Sequence, residues 1–202
     1  MTNYKLIYFD LTGLGEPIRF MLSYGGVKFE DKRINSEEWK ELKPQIPMGQ
    51  LPVLEIDGKK YYQSKAIGRF LAKKFDLYGS DEFEAMEIDA VVDTIDDLRQ
   101  ALVSYTFEED PDVKAKLKEK NSPKVPLFLE KLESLVERNG GYFVGGKLSW
   151  PDIVFAAHSK FASHMLEGDV SKDHPELKKL TDKVLAIPNI KKYVDGRPDT
   201  RV

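Results

Sequence analysis

The pattern of strand and helix signals changes once along this chain, near residue 78, and that change limits which folds the chain can adopt. Before it, short apolar runs typical of buried strands alternate with amphipathic segments. After it, every periodic segment has helical spacing, as in Val91, Ile95 and Leu98. We therefore predict a small α/β domain over residues 1–78 and an all-helical domain over residues 79–202.

The first domain is predicted to contain a strand–helix–strand unit followed by two strands and a helix. Residues 5–9 have the composition of a short buried strand, and residues 29–34 supply the second strand. This order favours parallel strands joined by a crossover helix. Asp57-Gly58, between two further strand segments, is typical of a tight hairpin turn.

The second half contains helix signals of unequal strength. Apolar residues from Ile153 to Met165 lie on more than one side, which predicts a buried central helix. Ser149 and Asp152 precede that run with the spacing of a capping box, a structural role. A last helix is expected to end before Pro188. His158 shares the buried helix and is interpreted as a hydrogen-bonded core histidine.

The composition excludes several kinds of chemistry. The 202-residue chain has no cysteine, so any thiol chemistry must use a thiol brought by a small molecule. A net charge of −3 does not favour nucleic acid or an anionic membrane as a partner. No run approaches the ~20 apolar residues of a membrane span, and the first residues do not resemble a secretory signal. The expected compartment is the cytoplasm.

Three local features suggest ligand binding, and each has a simpler alternative. Tyr8 ends the first strand, where its hydroxyl can stabilise a bound thiolate or its ring can simply pack on the core. A cis bond before Pro52 would expose backbone groups to a peptide-like ligand, although an edge-strand proline explains the same residue. Gln63-Ser64 opens a helix, which suits a ligand carboxylate or serves as an ordinary N-cap.

Acidic residues form a stripe on the helix that carries Val91. Asp93, Asp96 and Asp97 lie out of phase with the apolar face. The stripe is either a solvated face or a surface that meets a cation, a ligand amine or a basic partner subunit. If two copies of the chain face each other there, magnesium or calcium with oxygen ligands is expected between the carboxylates.

Several motifs, in their order along the chain, resemble the sigma class of cytosolic glutathione transferases. They are Tyr8, Gly13-x-Gly15-Glu-Pro-Ile-Arg19, Trp39, Lys43, Gln50-Leu-Pro52-Val-Leu, Gln63-Ser64 and Ser149-Trp-Pro-Asp152. The resemblance runs nearly end to end. It implies a thioredoxin-like domain that binds glutathione as co-substrate, a helical domain that completes the pocket for an electrophile, and a homodimer.

The resemblance also implies a role for individual residues. Tyr8 matches the residue of this class whose hydroxyl activates the thiol of glutathione. The positions that contact glutathione in the class are matched here by Trp39, Lys43, Gln50, Leu51, Pro52, Gln63 and Ser64. Asp97 matches a residue that reaches the γ-glutamyl amine across the dimer. The candidates for the electrophile pocket are Phe9, Leu11, Gly13, Leu14, Tyr105, Val154 and His158.

The resemblance implies a detoxifying transferase that conjugates glutathione to small hydrophobic electrophiles or reduces lipid peroxides. One alternative is a prostaglandin D synthase-type isomerase. Leu14 and Gln50 depart from that branch, because its members usually carry arginine at the first position and some carry lysine at the second. A second alternative is a non-catalytic protein, either crystallin-like or a carrier of apolar ligands. The intact Tyr8 and glutathione contacts argue against it.

Overall fold

A computed structural model describes residues 2–200 of the chain. The strands are β1 (Tyr4–Phe9), β2 (Phe29–Ile34), β3 (Val53–Ile56) and β4 (Lys59–Tyr62). The helices are α1 (Glu16–Tyr24), α2 (Ser36–Leu42), α3 (Ser64–Lys74), α4 (Glu82–Thr106), α5 (Pro111–Asn121), α6 (Lys124–Arg138), α7 (Trp150–Met165), α8 (Pro175–Leu185) and α9 (Pro188–Gly196). The predicted class, an α/β part followed by helices, is confirmed.

The strands form one mixed sheet in the order β2-β1-β3-β4. β1 pairs in parallel with β2, and the crossover helix α1 connects the two strands. On its other side β1 pairs antiparallel with β3. β3 and β4 are joined by the tight turn at Asp57-Gly58, as their sequence predicts. Ile7, Ile34 and Val53, from three of the strands, form a buried cluster with Ile46.

The chain divides into two compact units. Unit 1 comprises Met1–Asp76 and Leu185–Val202, and unit 2 comprises Leu77–Val184. The first boundary lies two residues from the predicted one, but the C-terminal segment belongs with unit 1 and not with the helical domain. The physical reason is a buried carboxylate on α1, Glu16, which accepts a hydrogen bond from Tyr193 and pairs with Arg197.

Unit 2 is built from helices, with α4 and α7 at its centre. α7 is buried along most of its length, as its apolar sides predict. Its capping box is present: Ser149 N–H donates to Asp152 Oδ2 at 2.6 Å, and Ser149 Oγ donates to the same oxygen at 2.9 Å. None of the helices described between residues 2 and 200 is long and apolar enough to cross a membrane.

Candidate functional site

Tyr8 lies next to the end of β1, where the chain leaves the sheet for a short 3₁₀ turn before α1. Its side chain is buried, and its hydroxyl oxygen accepts a hydrogen bond of 3.0 Å from the backbone N–H of Leu14. Accepting this bond uses a lone pair of the oxygen and leaves the hydroxyl hydrogen as a donor. The arrangement fixes the direction of a polar group inside an otherwise apolar strand end.

Two glycines in the turn make room for the Tyr8 ring. A Cβ atom on Gly13 would stand 2.6 Å from the Tyr8 hydroxyl oxygen, and one on Gly15 would stand 2.4 Å from Tyr8 Cδ1. Gly13 also has a φ of +36°, which L side chains rarely adopt. Both positions therefore require glycine because of the tyrosine beside them.

An open cleft of about 420 Å³ lies beside this turn, within unit 1. It is lined by Phe9, Leu14, Trp39, Lys43, Gly49, Gln50, Leu51, Pro52, Tyr62, Gln63 and Ser64. The structure thus brings together the predicted contact residues from α2, the loop before β3 and the start of α3. Tyr8 is not among the lining residues, but its neighbours Phe9 and Leu14 are.

Trp39 is placed at the cleft by a well-capped helix and an aromatic contact. The Asn35 side chain accepts from the backbone N–H groups of Glu37 and Glu38, and the Glu38 carboxylate accepts from Asn35 N–H. The Trp39 ring then meets the Phe9 ring edge to face, with centroids 5.6 Å apart. The indole is only partly buried, so its N–H can serve as a donor at the surface.

The loop before β3 and the start of α3 present backbone groups to the same cleft. The Leu51-Pro52 bond is cis, as the sequence suggested. Gln63 stands at the N-cap of α3 with a φ of +71°, an uncommon conformation for a residue with a side chain. Such conformations cluster at ligand sites. The first turn of α3 offers amide hydrogens, a positive dipole end and the Ser64 hydroxyl.

The cleft is chemically suited to a small anionic peptide. Helix starts favour carboxylates, and Lys43 and Trp39 supply an ammonium group and an indole N–H at another part of the lining. The mix of apolar and polar lining residues matches a site that orients an extended ligand.

The candidates for the electrophile pocket fall in two groups. Phe9, Leu11, Gly13 and Leu14 belong to unit 1, where they surround the Tyr8 turn. Tyr105, Val154 and His158 belong to unit 2, where each is buried.

His158 lies between α4 and α7 beside a small internal cavity lined in part by Arg99. Burial lowers the pKa of His158 to about 3, and the charge of Arg99 acts in the same direction. The imidazole is therefore neutral at physiological pH. His158 is buried, as expected for a core histidine, and its Nδ1 has no hydrogen-bond partner among residues 2–200.

The acidic stripe does not support the expected metal site. Asp96 accepts from Arg99 Nε at 2.8 Å and from Gln100 Nε2 at 3.1 Å. Within the part of the chain that the structure describes, no group of three His, Cys, Asp or Glu residues is placed to hold a metal ion. The prediction of magnesium or calcium at Asp93, Asp96 and Asp97 is therefore not supported. The reason is that Arg99, one turn further on, satisfies the central carboxylate.

Arg19 lies near Tyr8 but is not among the site residues predicted from the sequence. Arg19 is fully buried in α1, and its guanidinium carbon lies 5.7 Å from the centroid of the Tyr8 ring. The available signal was a charged residue within an apolar helical stretch, with an acid three residues before it at Glu16.

Comparison with known proteins agrees with this arrangement. The family model described as "Glutathione S-transferase, N-terminal domain" matches residues 4–73, and "Glutathione S-transferase, C-terminal domain" matches residues 96–197. A glutathione S-transferase of Anopheles gambiae is 42% identical over 203 residues, and the match covers 100% of both chains. The hematopoietic prostaglandin D synthase of Rattus norvegicus is 36% identical over 203 residues, again covering 100% of both.

A solved structure is similar in fold as well as in sequence. The structure of prostaglandin synthase D of Nilaparvata lugens matches with a TM-score of 0.91 and 44% sequence identity. The match covers 97% of this chain and 98% of that one.

Proposed function

Because the chain belongs to the glutathione S-transferase family, we propose that it is a sigma-class enzyme that activates the thiol of glutathione with Tyr8. The activated thiol is joined to small hydrophobic electrophiles. The observation that carries this proposal is the cleft of about 420 Å³, which gathers the predicted peptide-binding residues beside the turn that holds Tyr8. The protein works as a cytoplasmic homodimer in detoxification.

The surroundings of the Tyr8 hydroxyl support a role in thiol activation. Its oxygen accepts a hydrogen bond from Leu14 N–H, and a tyrosine hydroxyl can also donate one, as stabilising a thiolate requires. A free thiol has a pKa near ~8.5 and is mostly protonated at neutral pH. Lowering that pKa by ~2 units requires ~2.7 kcal/mol. A charge-assisted hydrogen bond contributes a large part of this, and the positive end of a helix dipole adds to it.

Each part of glutathione finds a matching group in the cleft. The γ-glutamyl carboxylate is bound by the start of α3, through Gln63, Ser64 and the free amide hydrogens there. The cysteinyl backbone pairs with Leu51, next to Pro52, in the manner of an added strand.

The other end of the tripeptide and its amine need charged partners. The glycine carboxylate is held by Lys43 and the Trp39 indole, with Gln50 nearby in the same lining. The γ-glutamyl amine is met by Asp97 of the partner subunit. Asp97 is exposed on α4, as such a role requires.

The chemical step follows from proximity. The thiolate sulfur attacks an electrophilic carbon, a carbon–sulfur bond forms, and with an aryl halide the halide leaves with its bonding pair. Phe9, Leu11 and Leu14 provide apolar surface near the Tyr8 turn. The remaining candidates for the electrophile pocket, Tyr105, Val154 and His158, are buried within unit 2.

A prostaglandin D synthase-type isomerase is the second candidate function. It is favoured by the match to prostaglandin synthase D of Nilaparvata lugens at 44% identity. Leu14 and Gln50, both in the cleft lining, carry no positive charge to attract an anionic lipid. A panel of aryl halides, unsaturated aldehydes, lipid hydroperoxides and prostaglandin endoperoxide separates the two functions.

The decisive experiment replaces Tyr8 with phenylalanine. We expect Tyr8→Phe to lower kcat/KM by ~10²-fold while glutathione affinity changes by no more than a few fold, because one charge-stabilising donor is lost. Tyr4→Phe is the matched control, since Tyr4 is a buried tyrosine on the same strand but outside the cleft. Ultraviolet difference spectra should show the bound thiolate in wild type and Tyr4→Phe at neutral pH. Equal thiolate and equal turnover in Tyr8→Phe would refute the proposal.

A further inference from the structure

Arg19 is a buried cation held between two carboxylates. Its Nη1 lies 3.0 Å from Glu16 Oε2, and its Nε lies 3.0 Å from Asp31 Oδ1. The Arg19 side chain has no exposed surface. Removing an arginine from water is costly unless its donors are bonded and its charge is balanced. Both conditions are met here.

The remaining donors of Arg19 hold the segment that follows Tyr8. Nη1 donates to the Leu11 carbonyl oxygen at 2.8 Å, and Nη2 donates to the Phe9 carbonyl oxygen at 3.4 Å. This segment leads to Leu14, whose N–H bonds the Tyr8 hydroxyl. Arg19 therefore ties the loop that carries the hydroxyl's backbone donor to helix α1.

The two carboxylates have other cationic or hydroxyl partners besides Arg19. Asp31 Oδ2 pairs with Arg33 Nε at 2.8 Å. Glu16 accepts from the Tyr193 hydroxyl at 3.1 Å and pairs with Arg197. Burial, followed by the charge of Glu16, raises the pKa of Tyr193 above its usual range, so this hydroxyl remains a donor. Because Glu16 and Asp31 have these other partners, balancing their negative charge does not by itself explain why an arginine is buried at position 19.

We propose that Arg19 is a positioning residue for Tyr8, which fixes the Phe9–Leu14 loop so that Leu14 N–H and the Tyr8 hydroxyl keep the geometry needed for thiol activation. This inference rests on the proposed role of Tyr8 in activating glutathione. The hydrogen bonds of Arg19 to the loop matter more for Tyr8 than its positive charge does. The reason is that the carboxylates of Glu16 and Asp31, each 3.0 Å away, offset most of the field of the guanidinium. The planar fork of arginine supplies the bonds to two carbonyls, and lysine cannot reproduce it.

The test is Arg19→Lys, which keeps the positive charge and removes the fork. We expect the pKa of the bound thiol, followed by ultraviolet difference spectra, to rise by about one unit. At a pH below the wild-type thiol pKa, kcat should then fall about 10-fold. KM for glutathione should stay within a few fold, since the residues proposed to bind the two glutathione carboxylates, such as Lys43 and Ser64, lie outside the Phe9–Leu14 loop. Arg19→Gln is a second variant that removes the fork and the charge together, and because Glu16 and Asp31 already offset that charge it should raise the thiol pKa by a similar amount.

Arg197→Lys is the matched control, because Arg197 also pairs with Glu16 but otherwise contacts the rings of Phe20 and Tyr193, which lie outside the Phe9–Leu14 loop. It should lower stability to denaturant and leave the thiol pKa unchanged. A purely structural Arg19 would behave in the same way as this control, with lower stability but wild-type thiol pKa and kcat. That result would overturn the inference.

The double variant Arg19→Lys, Tyr8→Phe separates this inference from the proposed function. If Arg19 acts through Tyr8, changing it in the Tyr8→Phe background should alter kcat by less than about 2-fold. An equal loss in both backgrounds would show that Arg19 acts elsewhere. A Tyr8→Phe enzyme with full activity would instead contradict the function proposed for Tyr8.

Discussion

Gly15→Ala should displace the Tyr8 ring without straining the backbone. Gly15 has φ −78° and ψ −28°, values that any residue adopts, so the position requires glycine only for space. An added Cβ would lie 2.4 Å from Tyr8 Cδ1 and 2.8 Å from Tyr8 Cγ. Because carbon atoms in contact prefer about 3.5 Å, the ring must withdraw by about 1 Å.

A shift of this size has two separate consequences. Overpacking a dense interior costs about 1–3 kcal/mol of stability. Misplacing a reacting group by about 1 Å costs about 10²-fold in rate, equivalent to ~2.7 kcal/mol of transition-state stabilisation. We therefore expect Gly15→Ala to lower kcat/KM for an aryl halide by about 10²-fold and the free energy of unfolding by about 1–3 kcal/mol.

Gly25→Ala distinguishes the two consequences. Gly25 has φ −70°, and its added Cβ would lie 2.3 Å from Phe75 Cε1, away from Tyr8. This variant should lose similar stability in urea titrations but retain its kcat/KM. Wild-type kcat/KM in Gly15→Ala, or an equal loss of activity in Gly25→Ala, would refute the claim that Gly15 is required to place Tyr8.

Two further predictions concern buried and exposed carboxylates of unit 2. Burial raises the pKa of Asp152 from 3.8 to about 6 against the hydrogen bonds from Phe143 and Ser149. The folded state then binds the proton more tightly, so this group contributes stability below pH 4 that is lost as pH rises through 6. The free energy of unfolding of wild type minus that of Asp152→Asn should fall by up to about 3 kcal/mol over this range; a constant or rising difference contradicts it. For the exposed Asp97, Asp97→Asn should raise KM for glutathione about 10-fold with kcat unchanged in a dimer confirmed by sedimentation. Asp93→Asn is the control, and an unchanged KM in Asp97→Asn excludes the contact across the dimer.

The sequence predicted the elements that have a clear apolar periodicity or clear turn and capping residues. The sequence predicts β1, the Asp57-Gly58 hairpin and α4 because a short apolar run, turn residues and helical spacing are local signals. The capping box of Ser149 and Asp152 is a local signal too. Local signals fix local structure, and the order of elements then limits the topology.

Elements with weak patterns were missed. α5 has no buried residue, so no apolar stripe marks it, although Asp110 caps its start. α9 was missed because Pro188 was interpreted as the end of a helix, whereas it occupies the first turn of the next. Tertiary contacts made by Tyr193 and Arg197 place this last helix in unit 1, and no local pattern predicts such contacts.

The residues of the cleft were predicted for a different reason from the residues around Tyr8. Pro52 and Gln63-Ser64 are recognisable from residue type and order, whereas the other cleft residues were predicted from the resemblance to the glutathione transferases. The sequence identifies Gly15 only as part of a family motif, whereas its role is to leave room for a ring seven residues earlier in the chain. Close approaches of this kind depend on how β1 and α1 pack against each other, and a local sequence pattern does not predict that packing.

Arg19 shows which sequence signal carries information about such packing. It lies in a run of buried residues on α1, where an apolar side chain would satisfy the helical pattern at lower desolvation cost. A charge inside that run requires a compensating partner, and Glu16 stands three residues earlier on the same face. Since one carboxylate balances the charge but cannot use all five donors of a guanidinium, the remaining donors need further acceptors, and here these are the Asp31 carboxylate and two backbone carbonyls. An arginine with an acid at i−3 in an apolar helix start therefore indicates that other chain segments bond to that helix, and here one of them is the loop that follows Tyr8.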